Sequence, residues 1–205
     1  MSEEPSSSES GGAGRVGSDP AGAARDTSER AASAHAKREL ASVARLLGRL
    51  LVRELDAATV DALRAREVAD AVRAVGIDLP EAVDLDALAA EYFAVFLRPE
   101  TSLPPVQSLW EEGEYEGRAA NALRTLARQA GMEPGEDSGH QPPDHLGRIL
   151  SLWGECIDTQ PEVAAELERT HLAWTRLALA SPATSTGFYG GVARATLDFL
   201  SELGA

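Results

Sequence analysis

Two prolines followed by a strongly periodic apolar stretch constrain this chain more than any other feature. The stretch is QPPDHLGRILSLWGECI, residues 141–157. Pro142 and Pro143 stop whatever precedes them. Asp144 is then placed to cap a helix by accepting a hydrogen bond from its free backbone N–H groups. Leu146, Ile149, Leu150, Trp153 and Ile157 follow on one face of an α-helix. Asp144 and His145 therefore sit together at a helix mouth, where the positive dipole end and unpaired donors concentrate. Gly147, one turn in, removes a side chain and lets something approach the helix closely. The rest of the chain reads as a helical body that carries this mouth.

Taken in order, residues 1–28 are Ser, Gly, Glu, Asp, Ala and Pro with almost nothing to bury. They predict a disordered tail, with one all-helical domain over 29–205. A first helix is expected from Glu29 to about Leu55, with Leu40, Val43, Leu47 and Leu50 inside. A second, from Thr59 to Gly76, would bury Val60, Leu63, Val68, Val72 and Val75. Asp84 should cap a third, whose Leu85, Leu88, Tyr92 and Phe96, with Phe93 beside them, form a bulky face. PETSLPPVQSLW (99–110) reads as a proline-rich loop, and Tyr115–Gly131 as a fourth helix with Ala119, Leu123, Leu126 and Ala130 inside. Residues 131–143 are a polar Gly/Pro-rich connection, the most plausible hinge within the domain.

Beyond the opening helix, Pro161 suits the first position of a sixth, ending at Pro182 and lined by Val163, Leu167, His171, Trp174 and Ala178. The last helix, Thr184 to Leu203, would bury Tyr189, Val192, Thr196, Phe199 and Leu203. No segment alternates like a strand. The fold class is all-α, a single compact helical domain of about seven helices.

Charge and cysteine usage exclude several functions. The formal net charge is −14, from 33 Asp and Glu against 19 Lys and Arg. Nucleic acid is not an expected partner, because no basic stripe offsets its phosphates. A basic partner would be drawn in over a screening length of ~8 Å. Cys156 is the only cysteine, so no intrachain disulfide forms and no cysteine cluster holds zinc. Neither a bilayer-spanning apolar run nor a secretory signal is present, so the expected compartment is the cytoplasm, with no membrane insertion.

Enzyme signatures are also missing. His145 and Cys156 share a helix stripe but lie ~16 Å apart along its axis, too far to hold one ion. No H-E-x-x-H or paired D-x-D spacing, G-x-S-x-G turn or P-loop occurs. Asp144–His145 remains the best polar pair, with a helix cap and a fixed imidazole as its plain structural role. Tyr92, Phe93, Phe96 and Trp110 are aromatic at helical spacing, usually a core pattern. Trp110 follows a proline-rich loop and could instead line a groove for an apolar peptide.

Three blocks of this sequence resemble the TorD/DmsD family of redox-enzyme maturation chaperones, relatives of the NarJ group. EYFAVFLRPETSLPPVQSLW (91–110) resembles the family's acidic–aromatic segment and proline-rich loop. PPDHLGRILSLWGEC (142–156) resembles its Pro-x-Asp-His signature, and residues 168–200 its His-Leu-x-x-Trp and Phe-Tyr helices. Three departures stand out. Arg98 replaces a usual glycine, Gln141-Pro142 replaces a frequent acidic residue, and His171 and Trp174 are one residue closer than usual.

The resemblance implies a cytoplasmic chaperone for a molybdenum-cofactor oxidoreductase of the DMSO-reductase class. Its partner would be the catalytic subunit precursor, bound through the twin-arginine signal peptide or the apoenzyme and held until cofactor insertion. The chaperone itself would carry no cofactor and no metal. A binder of that peptide needs carboxylates for guanidinium groups and an apolar groove for the run beside them. Asp144 and His145 could serve the first need, and Tyr92, Phe96, Pro105, Ser108 and Trp110 the second. Two other readings stay open: a structural subunit of an oxidoreductase complex, and a helical enzyme using Asp144/His145. An oligomer formed by exchange through residues 131–143 is also open.

Overall fold

The computed structural model describes residues 20–98, 103–132 and 141–204; side-chain exposure is described from Arg30 onward, Glu67 excepted. Residues 1–19 of the expected tail, 99–102 of the proline-rich loop and 133–140 of the expected hinge lie outside the described residues. The chain divides into two units, Met1–His35 and Ala36–Ala205. The described part of the first unit is helical from Pro20.

Ten α-helices are described: α1 (Pro20–Val52), α2 (Ala57–Arg64), α3 (Arg66–Ala74), α4 (Leu85–Tyr92), α5 (Gln107–Glu112), α6 (Arg118–Gln129), α7 (Leu146–Thr159), α8 (Pro161–His171), α9 (Thr175–Ala180) and α10 (Phe188–Leu203). A π-turn (Phe93–Leu97) extends α4, and a 3₁₀ turn (Pro182–Thr184) follows α9. There is no strand among the described residues, only an isolated bridge between Val106 and His145. The all-α expectation holds.

The number of helices rises from seven to ten because three expected segments are subdivided or filled. The second expected helix breaks at Ala65, whose ψ is 131°. Leu63 and Val72 are both buried. Nine residues apart, they would point to opposite sides of one continuous helix at ~100° per residue. The break brings both inward and leaves Val68, expected inside, exposed. The sixth expected helix breaks at Leu172, where the Trp174 indole donates to His171 O (2.8 Å) and Thr175 Oγ1 to Leu172 O (2.5 Å). The shortened His171–Trp174 spacing falls on this break. Part of the expected loop is the short helix α5, ended by Gly113 at φ 78°. Phe93 also departs from expectation: it lies outside the bulky face and is 53% exposed. With Leu88, Tyr92 and Phe96 turned inward at four-residue intervals, its neighbour in sequence is about 100° round the helix.

One core fills the second unit. Leu47, Leu50 and Leu51 of α1 meet Ile149, Leu150 and Trp153 of α7 and Val192 and Phe199 of α10 in it. Trp153 stacks edge-on with Phe199, their centroids 5.7 Å apart, and donates its indole N–H to Glu168 Oε1 of α8 at 2.7 Å. Tyr189 packs edge-on against Tyr92, Phe96 and Phe188.

Two buried phenols satisfy the end of α1. Tyr92 donates to Leu51 O, and Leu55 N donates to Tyr189 Oη, each at 2.9 Å. Burial pushes both phenol pKa values up, Tyr189 to about 12. Glu91 caps α10 by accepting from Tyr189 N at 2.7 Å. Tyr189→Phe strands the Leu55 N–H in the core, and is expected to cost about 1–2 kcal/mol in urea unfolding. An unchanged midpoint would show that Leu55 N finds another acceptor.

Candidate functional site

Asp144 does not cap the helix that follows it. His145 takes that role: its Nδ1 accepts from Gly147 N at 3.1 Å. Asp144 reaches instead to α5, 36 residues earlier. Its Oδ2 accepts from Ser108 N at 2.8 Å and from Ser108 Oγ at 2.5 Å. The carboxylate thus satisfies a free donor in the first turn of a different helix and favours its dipole.

The backbone explains why Asp144 can reach so far. Residues 104–107 and 142–146 lie antiparallel, with Val106 bridged to His145. Gln107 N donates to Asp144 O at 3.0 Å, and Leu146 N donates to Pro105 O at 2.8 Å. The prolines shape both segments as turns, His145 N donating to Pro142 O at 3.0 Å and Val106 N to Pro104 O at 2.8 Å, and they carry no N–H to satisfy.

A third segment closes the arrangement. Gln107 Nε2 donates to both Glu111 carboxylate oxygens (3.1 Å) and to Thr170 O (3.2 Å). Its Oε1 is left as the acceptor for His171 Nδ1 at 2.7 Å. The three sequence blocks therefore meet at one buried polar node, contributed by 104–108, 142–146 and 170–171. Gln107, Ser108, Asp144, His145 and His171 are each 2% exposed or less. Gln107 and the His171 contact were not expected from sequence; their only signal was membership of the same three blocks.

The electrostatics of the node are set by burial. Burial, with the charge of Arg148, depresses the His145 pKa to about 3 and keeps its ring neutral. Because Nδ1 accepts from Gly147, the ring proton belongs on Nε2. Burial also lowers the His171 pKa, opposed by the charges of Glu166, Glu111 and Asp144. The unfolded chain therefore takes up these protons first as the pH falls. For His145, the contribution to stability is full above pH ~6.5 and declines towards pH ~3, by about 1.4 kcal/mol per pH unit; His171 adds a loss in the same direction. For His145 alone this amounts to about 2.7 kcal/mol at pH 4.5. Urea unfolding at pH 7 and 4.5 checks it. His145→Asn, which retains a capping oxygen, should remove that share of the slope; an identical slope in the variant would refute the assignment.

The residues expected to bind peptide fall into two sets. Tyr92 and Phe96 are 4% and 1% exposed, within the aromatic core around Tyr189. Pro105, Ser108, Asp144 and His145 are buried in the node. Trp110, at its edge, is partly buried and donates to Pro104 O at 2.9 Å. In this structure the first six are interior rather than the walls of an open groove. Tyr92 and Phe96 are inward because they share the Leu88 stripe of α4, and Ser108 and Asp144 because they satisfy each other.

The Asp144/His145 pair is not open to a reactant: His145 Nδ1 is committed to Gly147, and both side chains are buried. Among the described residues no group of three or more His, Cys, Asp and Glu is placed to hold a metal ion. The Cys156 thiol is buried, its pKa raised by burial and by Glu155. One atom is unexplained by the fold. Asp144 Oδ1 is, among the described residues, the only buried side-chain nitrogen or oxygen without a hydrogen-bond partner.

Residues 51–181, well over half of the chain and containing the whole node, match the model of the nitrate reductase delta subunit family. The chain belongs to this family. The kinship with maturation chaperones of the NarJ and TorD type, read from the three blocks, stands. A delta-family chain of this kind is also similar to the chaperone protein YcdY of Escherichia coli (strain K12), 33% identical over 89 residues. That match covers 42% of this chain and 44% of the relative, so the chain spans less than half the length of that protein. The delta-family fold matches the crystal structure of a candidate redox enzyme maturation protein from Archaeoglobus fulgidus. The TM-score is 0.55 at 20% identity, covering 81% of this chain and 94% of that one. No helix among the described residues is long and apolar enough to cross a membrane.

Proposed function

We propose that this chain is a cytoplasmic maturation chaperone for a molybdenum-cofactor oxidoreductase of the DMSO-reductase class. It binds the twin-arginine signal peptide or the apoenzyme of the catalytic subunit precursor and assists cofactor insertion before export. It works as a binder, without a cofactor of its own and without catalysis.

The observation that carries this reading is the empty oxygen of Asp144. One carboxylate oxygen accepts two donors and the other accepts none. Leaving a buried carboxylate oxygen unpaired is costly, so an incoming donor is strongly favoured. A guanidinium supplies planar paired donors for that purpose. Access requires the segments 104–107 and 142–146 to part. The four prolines reduce the number of backbone donors left bare when they do. Trp110, beside Pro104, would report the opening.

The test is a tryptophan-fluorescence titration with twin-arginine signal peptides encoded near this gene, at low and high salt. An Arg-Arg to Ala-Ala peptide serves as control. Saturable binding to one peptide, lost in the control and weakened about tenfold by Asp144→Asn, is the expected result. Trp110→Ala should weaken it too. Binding to none of them defeats the signal-peptide half and leaves the apoenzyme as the partner to test. The family's description as a delta subunit favours one second reading, a structural subunit of the oxidoreductase. Co-purification at fixed stoichiometry with mature, active enzyme would establish that instead.

A further inference from the structure

A cleft of about 200 Å³ lies between α2, α3 and the segment that follows them. Leu63, Val72 and Ile77 form its apolar floor, and each is 4% exposed or less. The break at Ala65 makes this cleft, because it turns Leu63 and Val72 to the same side. Gly76, at φ 78°, then lets the chain fold back, and Ile77 N donates to Val72 O at 3.1 Å. Clefts that take drug-sized ligands run to roughly 300–1,000 Å³, so whatever fills this one is small.

The rim carries both signs of charge. Arg64 and Arg73 come from the two helices, and Asp78 and Glu81 from the segment after them. Arg64 donates only through Nη2, to Pro80 O and Glu81 O, which leaves Nε and Nη1 for a ligand. Arg73 is paired with Asp70 at 2.8 Å, but both side chains are exposed, and such a pair is easily exchanged for another. Among the described residues, the Asp78 and Glu81 carboxylates have no cationic partner. A simple anion would meet the two guanidinium groups but also two carboxylates, and a simple cation would meet the reverse. A zwitterion with an apolar group satisfies the floor and both halves of the rim. The end of a peptide carries one of the two charges; a free α-amino acid carries both on one carbon.

We propose that the cleft between α2, α3 and residues 77–81 binds a free apolar α-amino acid. Its carboxylate meets Arg64 and Arg73, its ammonium group meets Asp78 and Glu81, and its side chain lies over Leu63, Val72 and Ile77. Charge-assisted hydrogen bonds at both ends fix the orientation, and the small volume limits the side chain. The cleft shares no residue with the buried node, so the proposal stands apart from the Asp144 reading.

The experiment titrates the full chain with L-leucine, L-valine and L-phenylalanine, followed by saturation-transfer NMR. Leucine amide lacks the carboxylate and N-acetyl-leucine lacks the ammonium group. Each is expected to bind about tenfold more weakly than leucine. Arg73→Gln should weaken leucine about tenfold and leave the amide unchanged, and Asp78→Asn should weaken leucine about fivefold and leave N-acetyl-leucine unchanged. Ala69 lines the cleft and is half-buried, so Ala69→Leu should fill it and abolish the signal. Arg73 and Asp78 are on the surface, so their variants test the site even where Ala69→Leu disturbs the fold. Asp144→Asn should bind leucine as the native chain does. No saturable signal from any of the three amino acids, equal affinities for leucine and its two derivatives, or native selectivity in both charge variants overturns the site and leaves the Asp144 reading untouched.

Discussion

Gly147→Ala is expected to lower the stability of this chain by about 3 kcal/mol, or roughly 9 °C in thermal midpoint. The glycine is where α1 and α7 cross. A Cβ on Gly147 would lie 2.5 Å from Gly48 O and 2.6 Å from Val52 Cγ2; one on Gly48 would lie 2.5 Å from Gly147 O. The obstacle on both sides is backbone, which yields only by moving a helix. Further along the same contact, a Cβ on Gly154 would lie 2.9 Å from Ala41 O, and Arg45 Nη1 donates to Gly154 O at 3.1 Å. Pushing α7 away from α1 therefore opens the core around Leu47, Leu50 and Leu51, which are fully buried. It also shifts His145 and Asp144, which immediately precede α7. Differential scanning calorimetry of the native chain and the variant checks the prediction; a midpoint within a degree of native would mean the helices can separate freely. The approach that Gly147 permits is made by the protein's own first helix, so the glycine serves the fold.

Asp144→Ala has the other large expected effect, about 3 kcal/mol of lost stability, against about 1 kcal/mol for Asp144→Asn. Alanine leaves Ser108 N and Ser108 Oγ without their acceptor in a site closed to water. Asparagine keeps one oxygen for Ser108 and gives up only the charge and the empty position. Denaturant unfolding followed by Trp fluorescence measures both, since Trp110 is hydrogen-bonded to Pro104 beside the node. Equal losses from the two variants would mean that Ser108 is not what holds the carboxylate. Because the alanine variant weakens the scaffold, Asp144→Asn is the informative variant for peptide binding.

Much of the fold was legible in local patterns. The stripe Leu146, Ile149, Leu150, Trp153 predicted α7, and all four side chains are buried. Tyr189, Val192, Thr196 and Phe199 predicted the inner face of α10 equally well. The breaks at Ala65 and Leu172 were not legible. Each lies in a run with good helix propensity, and each exists because residues on both sides must reach the same core. Phe93 reads as core by composition and becomes surface because the face beside it is already occupied by Tyr92 and Phe96.

The sequence by itself determined the all-α class, the placement of most apolar faces and the three blocks that mark the family. Helical period and proline position act over a few residues, so a single chain displays them. Only the tertiary structure decided which helix Asp144 caps, what approaches Gly147, and that Gln107 meets His171. Those contacts span 36, 99 and 64 residues of sequence. A partner so distant is chosen by packing, because a buried carboxylate or amide must find its hydrogen bonds wherever the folded core brings a donor within reach.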